Sequence, residues 1–385
     1  MKLTRHRPDF IMLIVILLLV SIGLLTIYSA SIIWAYQQLK FSPHHFFVRQ
    51  CIFTVLGLIV LFVTMNLNFL NWRKLLLLLL PASLITLILV FAFPPVNNVH
   101  RWIPLGSFSF QPSELATFTI TIYVAHLLAK KHDKIHDFKK GTVPPLVVTG
   151  LFAGLVMMQP DMDAAALIVA ITLAIMFGAG IPVAHILKVV LPAAVFAIIA
   201  VFASEWRRER IFAFLDPFSQ ENLQNFGFQQ AHSLYAIASG GWWGKGLGRS
   251  IEKFLYLPEP HTDFVFAIFI EEWGIIGGIV LIGLFGVFIW RSIRVAYLIP
   301  DRFGALLAIG ITSMIGIAVV VNIGMVTGTL PVMGIPLPFI TYGGSALVLK
   351  MAAMGILLNL SRYTVEKENL HSPGLRRQVN AQYNA

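Results

Sequence analysis

Asp263 stands where a polar loop gives way to a long apolar run, directly after His261 and Thr262. A carboxylate at such a boundary is partly withdrawn from water. Its charged form is disfavoured and its pKa rises toward the range in which it can accept a hydroxyl proton at neutral pH. The same position also suits a helix cap, with Thr262 or Asp263 capping a helix that starts at Phe264, and the residues alone leave both readings open. Glu114 follows Gln111-Pro112-Ser113 at another helix start, where a carboxylate also complements the helix dipole. Asp161 and Asp163 share the tight turn Gln159-Pro160-Asp161-Met162-Asp163. Glu271, Glu272 and Lys350 fall inside apolar runs, where a charge is costly; it pairs, snorkels to the interface, or serves a function.

The segment from 204 to 263 is the richest in polar groups. It opens with Glu205-Trp206-Arg207-Arg208-Glu209-Arg210 and passes through Gln229, Gln230, His232 and Ser233 to Gly240-Gly241-Trp242-Trp243-Gly244-Lys245-Gly246-Leu247-Gly248. It closes on Leu257-Pro258-Glu259-Pro260-His261-Thr262-Asp263. Glycines around Lys245 could cradle a phosphate, but the spacing is not that of a P-loop and no strand precedes it. They equally suit the tight turns of a re-entrant loop.

The elements that must position these groups are membrane helices. The chain has 385 residues, 57% hydrophobic and only 12% charged, where soluble domains carry roughly 25% charged residues; its mean hydropathy is +0.80. Apolar runs of about 20 residues predict about ten transmembrane helices, near 9–33, 49–67, 74–93, 112–129, 143–158, 163–180, 184–203, 264–290, 303–326 and 345–361. The expected fold is an all-α polytopic bundle with a large extracytoplasmic loop between the seventh and eighth spans. The first run is too long for a cleaved signal peptide and reads as a retained span. Residues 1–363 form the transmembrane domain, and 364–385 a polar cytoplasmic tail read as disordered.

Charge sets the orientation. With both termini inside, Arg73, Lys74, the cluster Lys130, Lys131, Lys134, Lys139 and Lys140, and Arg291, Arg294 and Arg302 all face the cytoplasm, whereas the short outer loops hold only Lys40, Arg49 and Arg101. This is the positive-inside pattern. The net charge of +10 accordingly reads as topology and contact with anionic lipid, not nucleic acid. The single cysteine, Cys51, excludes an intramolecular disulfide and a multi-cysteine metal site. All the unusual polar segments, Val99–Glu114, 204–263 and Gly328–Ser345, then lie on the outer face.

Taken in order, the motifs are Arg101-Trp102-Ile103 with Gln111-Pro112-Ser113-Glu114, Gln159-Pro160-Asp161, Ser239 through Gly248, Leu257 through Phe264, Glu271-Glu272-Trp273-Gly274, and Pro331-Val332-Met333-Gly334-Ile335-Pro336-Leu337-Pro338-Phe339 with Tyr342-Gly343-Gly344-Ser345. On these the chain resembles the SEDS family (shape, elongation, division and sporulation), which includes FtsW and RodA, over residues 9–363, with a closer match to the FtsW branch. The resemblance implies a peptidoglycan glycosyltransferase of the bacterial cytoplasmic membrane. Such an enzyme polymerises lipid II, the undecaprenyl-pyrophosphate disaccharide-pentapeptide, alongside a class B penicillin-binding protein and other division or sporulation proteins. The family's catalytic aspartate matches Asp263 and its outer-loop tryptophan matches Trp102. The substrate-binding residues expected around them are Gln111, Glu114, Gln159, Asp161, Arg208, Gln229, Ser233, Lys245, Glu259, His261, Ser345 and Lys350. Lys245 and Arg208, or a divalent cation (Mg or Mn) with no ligand set evident, would offset the leaving pyrophosphate.

Two positions depart from the family pattern. Thr117 stands where relatives carry Lys, and Met162-Asp163-Ala164 follows the Gln-Pro-Asp turn where relatives continue through an apolar residue to Gly-Thr. A cation is lost and an acid gained on the same face. Lys350, at a depth similar to Glu114, is expected to supply the missing charge. Two other functions remain open at this stage: a lipid II transporter, given Asn322, Glu272 and Lys350 inside the bundle, and a scaffold for the penicillin-binding partner.

Overall fold

The computed structural model describes residues 6–365 except 38, 96–98, 107, 204 and 255, and gives only the backbone of 196, 197, 200, 201, 206 and 207. The tail expected at 364–385 therefore lies outside the described residues beyond Val365, as do Lys2 and Arg5, which also count on the cytoplasmic side under the positive-inside rule.

Ten apolar helices occupy the ten expected positions. They are α1 (Phe10–Gln37), α2 (His45–Asn66), α3 (Asn71–Leu89), α4 (Pro112–Lys130), α5 (Val143–Met158), α6 (Met162–Gly178), α7 (Val183–Phe202), α11 (Val265–Leu298), α12 (Arg302–Val326) and α13 (Gly344–Ser361). Seven are long and apolar enough to cross a membrane on length and composition, while α6 and α7 are apolar but shorter in their continuous stretch. The remaining one, α4, carries buried Thr117, Thr119 and Thr121 and packs among α3, α6 and α12. A helix enclosed by other helices need not match lipid, and its hydroxyls are satisfied locally: Thr117 Oγ1 donates to Ser113 O at 2.8 Å and Thr121 Oγ1 to Thr117 O at 2.7 Å. Backbone pairing within each helix is what permits the span at all.

Two features were not expected. A small antiparallel hairpin, β1 (Ile103–Leu105) with β2 (Phe108–Phe110), stands before α4. Nearly half of the 204–263 loop is helical, as α8 (Glu205–Leu215), α9 (Gln220–Leu223) and α10 (Phe228–Gly240). In addition, α11 extends past the expected end at 290 to Leu298 and is broken at Gly274, whose φ is 73°.

The break is filled by the glycine-rich stretch. Lys245 N–H donates to Glu271 O at 2.9 Å and Gly246 N–H to Glu272 O at 3.0 Å. In return Ile275 N–H donates to Gly241 O at 2.9 Å and Ile276 N–H to Trp242 O at 3.2 Å. The backbone groups freed by the break are thus re-paired, as a membrane protein requires. Only glycine fits: a Cβ on Gly274 would lie 2.3 Å from Trp242 O, and one on Gly244 2.2 Å from Glu272 O.

Helices α2 and α13 approach as closely. Thr64 Oγ1 lies 3.1 Å from Ala352 O, and a Cβ on Gly355 would meet Thr64 Oγ1 at 1.9 Å and Leu61 O at 2.3 Å. Small residues at such crossings let backbones touch. Gly355→Ala is therefore expected to destabilise the protein by about 1–3 kcal/mol through overpacking, seen as a lowered thermal midpoint in detergent. Gly150→Ala, where an added Cβ meets nothing within 4 Å, is expected to leave the midpoint unchanged or raised.

Candidate active site

The loop is fastened to the bundle by two adjacent buried carboxylates. Glu271 takes Lys245 Nζ at 2.7 Å, Ser250 Oγ at 2.5 Å, Ser239 Oγ at 3.2 Å and the N–H groups of Ile251 and Glu252 at 3.0 and 3.3 Å. Glu272 takes Lys253 Nζ at 2.9 Å, Ser29 Oγ of α1 at 2.5 Å and Ser250 N–H at 3.4 Å. A buried carboxylate needs a countercharge and several donors, and the loop supplies both. The ammonium of Lys245, expected at a pyrophosphate, is committed to Glu271. Sequence reasoning missed Lys253: it lies 19 residues from its partner across a loop, where no spacing rule applies. Elsewhere in the loop, buried Ser233 donates to Val326 O at 2.8 Å. Gln229 borders a cavity of about 310 Å³ together with Gln224, Phe228, Pro258 and Val332. Arg208 is exposed on α8, 3.8 Å from Glu205.

With the loop so fixed, the start of α11 faces the 328–343 segment. Asn322 Nδ2 donates to both Asp263 O and Ile335 O at 2.8 Å. Tyr342 N–H donates to His261 O at 3.0 Å, and Thr341 Oγ1 to Thr262 O at 3.3 Å. Gly334 is the meeting point. Its N–H donates to Asp163 Oδ2 at 2.8 Å, and a Cβ there would lie 3.8 Å from Asp263 Oδ2. The half-buried Asp263 thus shares a notch with Asp163, with exposed Glu259 close by in a left-handed conformation (φ 43°).

Arg101 holds the far side. Its guanidinium donates to Gln159 O at 3.3 Å and to Pro160 O, and lies 3.8 Å from Asp161 Oδ1. Asp161 caps α6 through Ala164 N–H at 3.4 Å and accepts from Gln111 Nε2 at 3.3 Å and Ser113 Oγ at 3.2 Å. Gln159 is buried, and its Nε2 donates to Leu87 O at 2.9 Å.

Burial, followed by the negative charges of Glu259 and Asp163, pushes the Asp263 carboxyl up to about 7, against the weaker opposing pull of Arg101. Burial also raises Asp161, partly offset by Arg101. His261 is sealed among Phe46, Tyr342 and Trp34, with ring centroids 4.4, 5.7 and 6.4 Å away. Burial lowers it to about 4, so it is a neutral wedge at neutral pH. Burial raises Tyr342, offset by its hydrogen bond with Arg49; Arg49 is a cation at the rim that the sequence offered only as a topology marker. A carboxyl half-ionised near pH 7 is suited to taking and returning a proton.

The remaining expected residues lie around the hairpin and the start of α4. Trp102 is half-buried beside the hairpin. Ser345 Oγ accepts Gln111 N–H at 3.4 Å. Lys350 Nζ reaches Glu114 Oε1 at 2.9 Å, the pairing anticipated from their matching depth. The interior groups that left a transport path open are engaged: Asn322 through its Nδ2, Glu272 with Lys253, and Lys350 with Glu114. Among the described residues, no three His, Cys, Asp or Glu side chains converge to hold a metal ion.

Comparison with known proteins gives one family. The model of a cell cycle protein family that takes in FtsW, RodA and SpoVE matches residues 9–366. Stage V sporulation protein E of Bacillus subtilis is 42% identical over 94% of this chain and 100% of its own length. A probable peptidoglycan glycosyltransferase FtsW from Trichlorobacter lovleyi is 39% identical over 92% of this chain and 93% of its own. Among solved structures, a chain of a peptidoglycan synthase complex superposes with TM-score 0.76 at 27% identity, covering 92% of this chain and 98% of that one. The rod shape determining protein RodA of Thermus thermophilus gives TM-score 0.66 at 26% identity over 94% of this chain and 98% of that one.

The Glu114–Lys350 pair can be tested by a double-mutant cycle. Lys350→Met or Glu114→Gln alone strands a largely buried charge and is expected to cost about 3 kcal/mol. The double variant should recover at least about 1 kcal/mol relative to the sum of the single losses, read from thermal or denaturant unfolding in detergent. Additive losses would show that the two do not pair.

Proposed function

Because the chain belongs to the cell cycle protein family of FtsW, RodA and SpoVE, we propose that it polymerises lipid II into glycan strands, with Asp263 as the general base. The observation that carries this is the Asp263 notch: a half-buried carboxyl poised near neutrality, opening where the helical loop meets the bundle. The relatives named as peptidoglycan glycosyltransferases and the fold shared with a peptidoglycan synthase complex support it.

In the reaction the 4-hydroxyl oxygen of one sugar attacks the anomeric carbon of another. The new glycosidic bond forms as the bond from that carbon to the lipid pyrophosphate breaks, and Asp263 takes the hydroxyl proton. Developing negative charge on the pyrophosphate calls for nearby cations. Lys245 is held by Glu271, so Arg49 at the rim and exposed Arg208 are the candidate cations. The Arg208–Glu205 pair is exposed and worth well under about 1 kcal/mol, so Arg208 is readily released to a substrate. A divalent cation, if one takes part, would be held mainly by the pyrophosphate oxygens, with the notch carboxylates of Asp163 and Glu259 available to it.

By the positive-inside rule, the Asp263 end faces outward and both termini lie in the cytoplasm. A class B penicillin-binding protein is the proposed partner, with its single span against the exposed faces of α2 and α3, which carry Val55, Ile59, Leu77 and Leu78.

Purified protein given labelled lipid II is expected to yield glycan polymer, and Asp263→Asn to lower the rate by about 10²–10⁴-fold, the usual worth of general base catalysis. Lipid movement across liposomes without polymer would replace the polymerase with a transporter. Polymer formed by Asp263→Asn at the normal rate would remove Asp263 from the mechanism. The pH profile gives a second test. A protonated Asp263 cannot act as base, so the rate should rise with pH and level off above about 7. Asp163→Asn removes a negative neighbour and should move that acid limb to lower pH, while a limb that stays in place would show that Asp163 does not act on Asp263.

A further inference from the structure

At the opposite end of the bundle from Asp263, where α1 begins and α11 and α13 end, lies a cavity of about 320 Å³ lined by Arg7, Asp9, Arg291, Arg294, Ser361 and Thr364. Its charges are unbalanced. The one carboxylate among its described lining residues is spent: Asp9 Oδ2 takes the Arg291 guanidinium at 2.5 Å, and Oδ1 accepts Met12 N–H at 3.1 Å as the cap of α1. Asp9 N–H is held in turn by Ser361 Oγ at 3.0 Å. Arg7 and Arg294 are exposed and have no carboxylate within ion-pair distance among the described residues. Among the described residues that line the cavity, three guanidiniums face one carboxylate, an excess of two positive charges.

The walls next to the cavity are apolar and unprotected. Phe10 is 55% and Ile11 50% exposed at its edge, and Ile14 of α1 and Trp290 and Ile293 of α11 continue the surface. In a membrane protein such a surface meets acyl chains, and a Trp at this level marks the interface between hydrocarbon and headgroups. A basic pocket between helix ends, bordered by exposed apolar side chains, matches one kind of ligand in charge and in chemistry.

We propose that this cavity binds the phosphodiester headgroup of an anionic phospholipid, with Arg7 and Arg294 on the phosphate and the acyl chains along Phe10, Ile14 and Ile293. Arg291 remains with Asp9 and keeps that carboxylate from repelling the headgroup. The lipid ties the first residues of the chain to the end of α11, whose other end begins beside Asp263. The site does not depend on the role given to Asp263, nor on which leaflet it faces.

The test uses the full-length purified protein in detergent, titrated with phosphatidylglycerol, phosphatidylcholine or inorganic phosphate and followed by native mass spectrometry and thermal unfolding. Phosphatidylglycerol is expected to bind at least ten-fold more tightly than phosphatidylcholine. At about five-fold per guanidinium, the Arg7→Gln/Arg294→Gln double variant should weaken phosphatidylglycerol binding by about 25-fold, and raised salt should weaken it in the wild type. Both side chains are exposed, so the lipid-free thermal midpoint of the variant should match the wild type, and Arg7→Lys/Arg294→Lys should keep most of the binding. Equal affinity for the two lipids, or no loss in the glutamine variant, would overturn the proposal. Inorganic phosphate binding as tightly as phosphatidylglycerol would overturn the lipid assignment in favour of free phosphate.

Discussion

Glu271 and Glu272 are buried side by side where α11 breaks, and the geometry of the outer face follows from how their charges are satisfied. Removing two carboxylates from water costs several kcal/mol each unless countercharges and donors reach them. Lys245, Lys253, Ser239, Ser250 and Ser29 do so, and all but Ser29 come from the loop. Closing the loop over the break also returns partners to the backbone groups around Gly274. Two separate penalties, one from charge and one from broken helix, are thus met by one arrangement. Because α11 resumes on the far side of the break, its first residues are held at a fixed place, and Asp263 is delivered to the edge of Gly334.

What surrounds Asp263 is a deliberate imbalance. Arg101, whose positive charge acts on Asp263, is tied to the carbonyls of the Gln159-Pro160 turn and to Asp161. It therefore stiffens the turn more than it neutralises Asp263. The acid gained at Asp163, a departure from the family pattern, lies across Gly334 and adds to the forces that keep a proton on Asp263. The cation lost at Thr117 is replaced elsewhere: Lys350 enters from α13 to meet Glu114. The two departures are thus absorbed separately, one into the electrostatics of the notch and one into a helix–helix ion pair.

Much of this was legible in the residues. Hydropathy located ten helices, seven of them long and apolar enough to cross a membrane, because such runs are long and uniform, and the matching depth of Glu114 and Lys350 foretold their pairing. The helices inside the 204–263 loop were not visible because α8, α9 and α10 are short and their polar residues hide the periodicity. Lys245 was read as a phosphate ligand because its true partner lies 26 residues on, within the next apolar helix, where local spacing says nothing. His261, a polar residue beside an acid, reads as a ligand in sequence; only the aromatic shell of Phe46, Tyr342 and Trp34 shows it to be a neutral wedge. Asn322 did carry a signal, a lone amide in an apolar run, but its task is to hold backbone at Asp263 and Ile335.

The account rests on the state of one carboxyl group, and that can be read directly. Difference infrared spectroscopy of the purified protein, with Asp263→Asn as the reference, isolates the carboxyl stretch of Asp263 as pH is varied. The expected result is a titration centred near 7. A midpoint near 4, the ordinary value for an exposed aspartate, would contradict the claim that the notch holds Asp263 ready as a base.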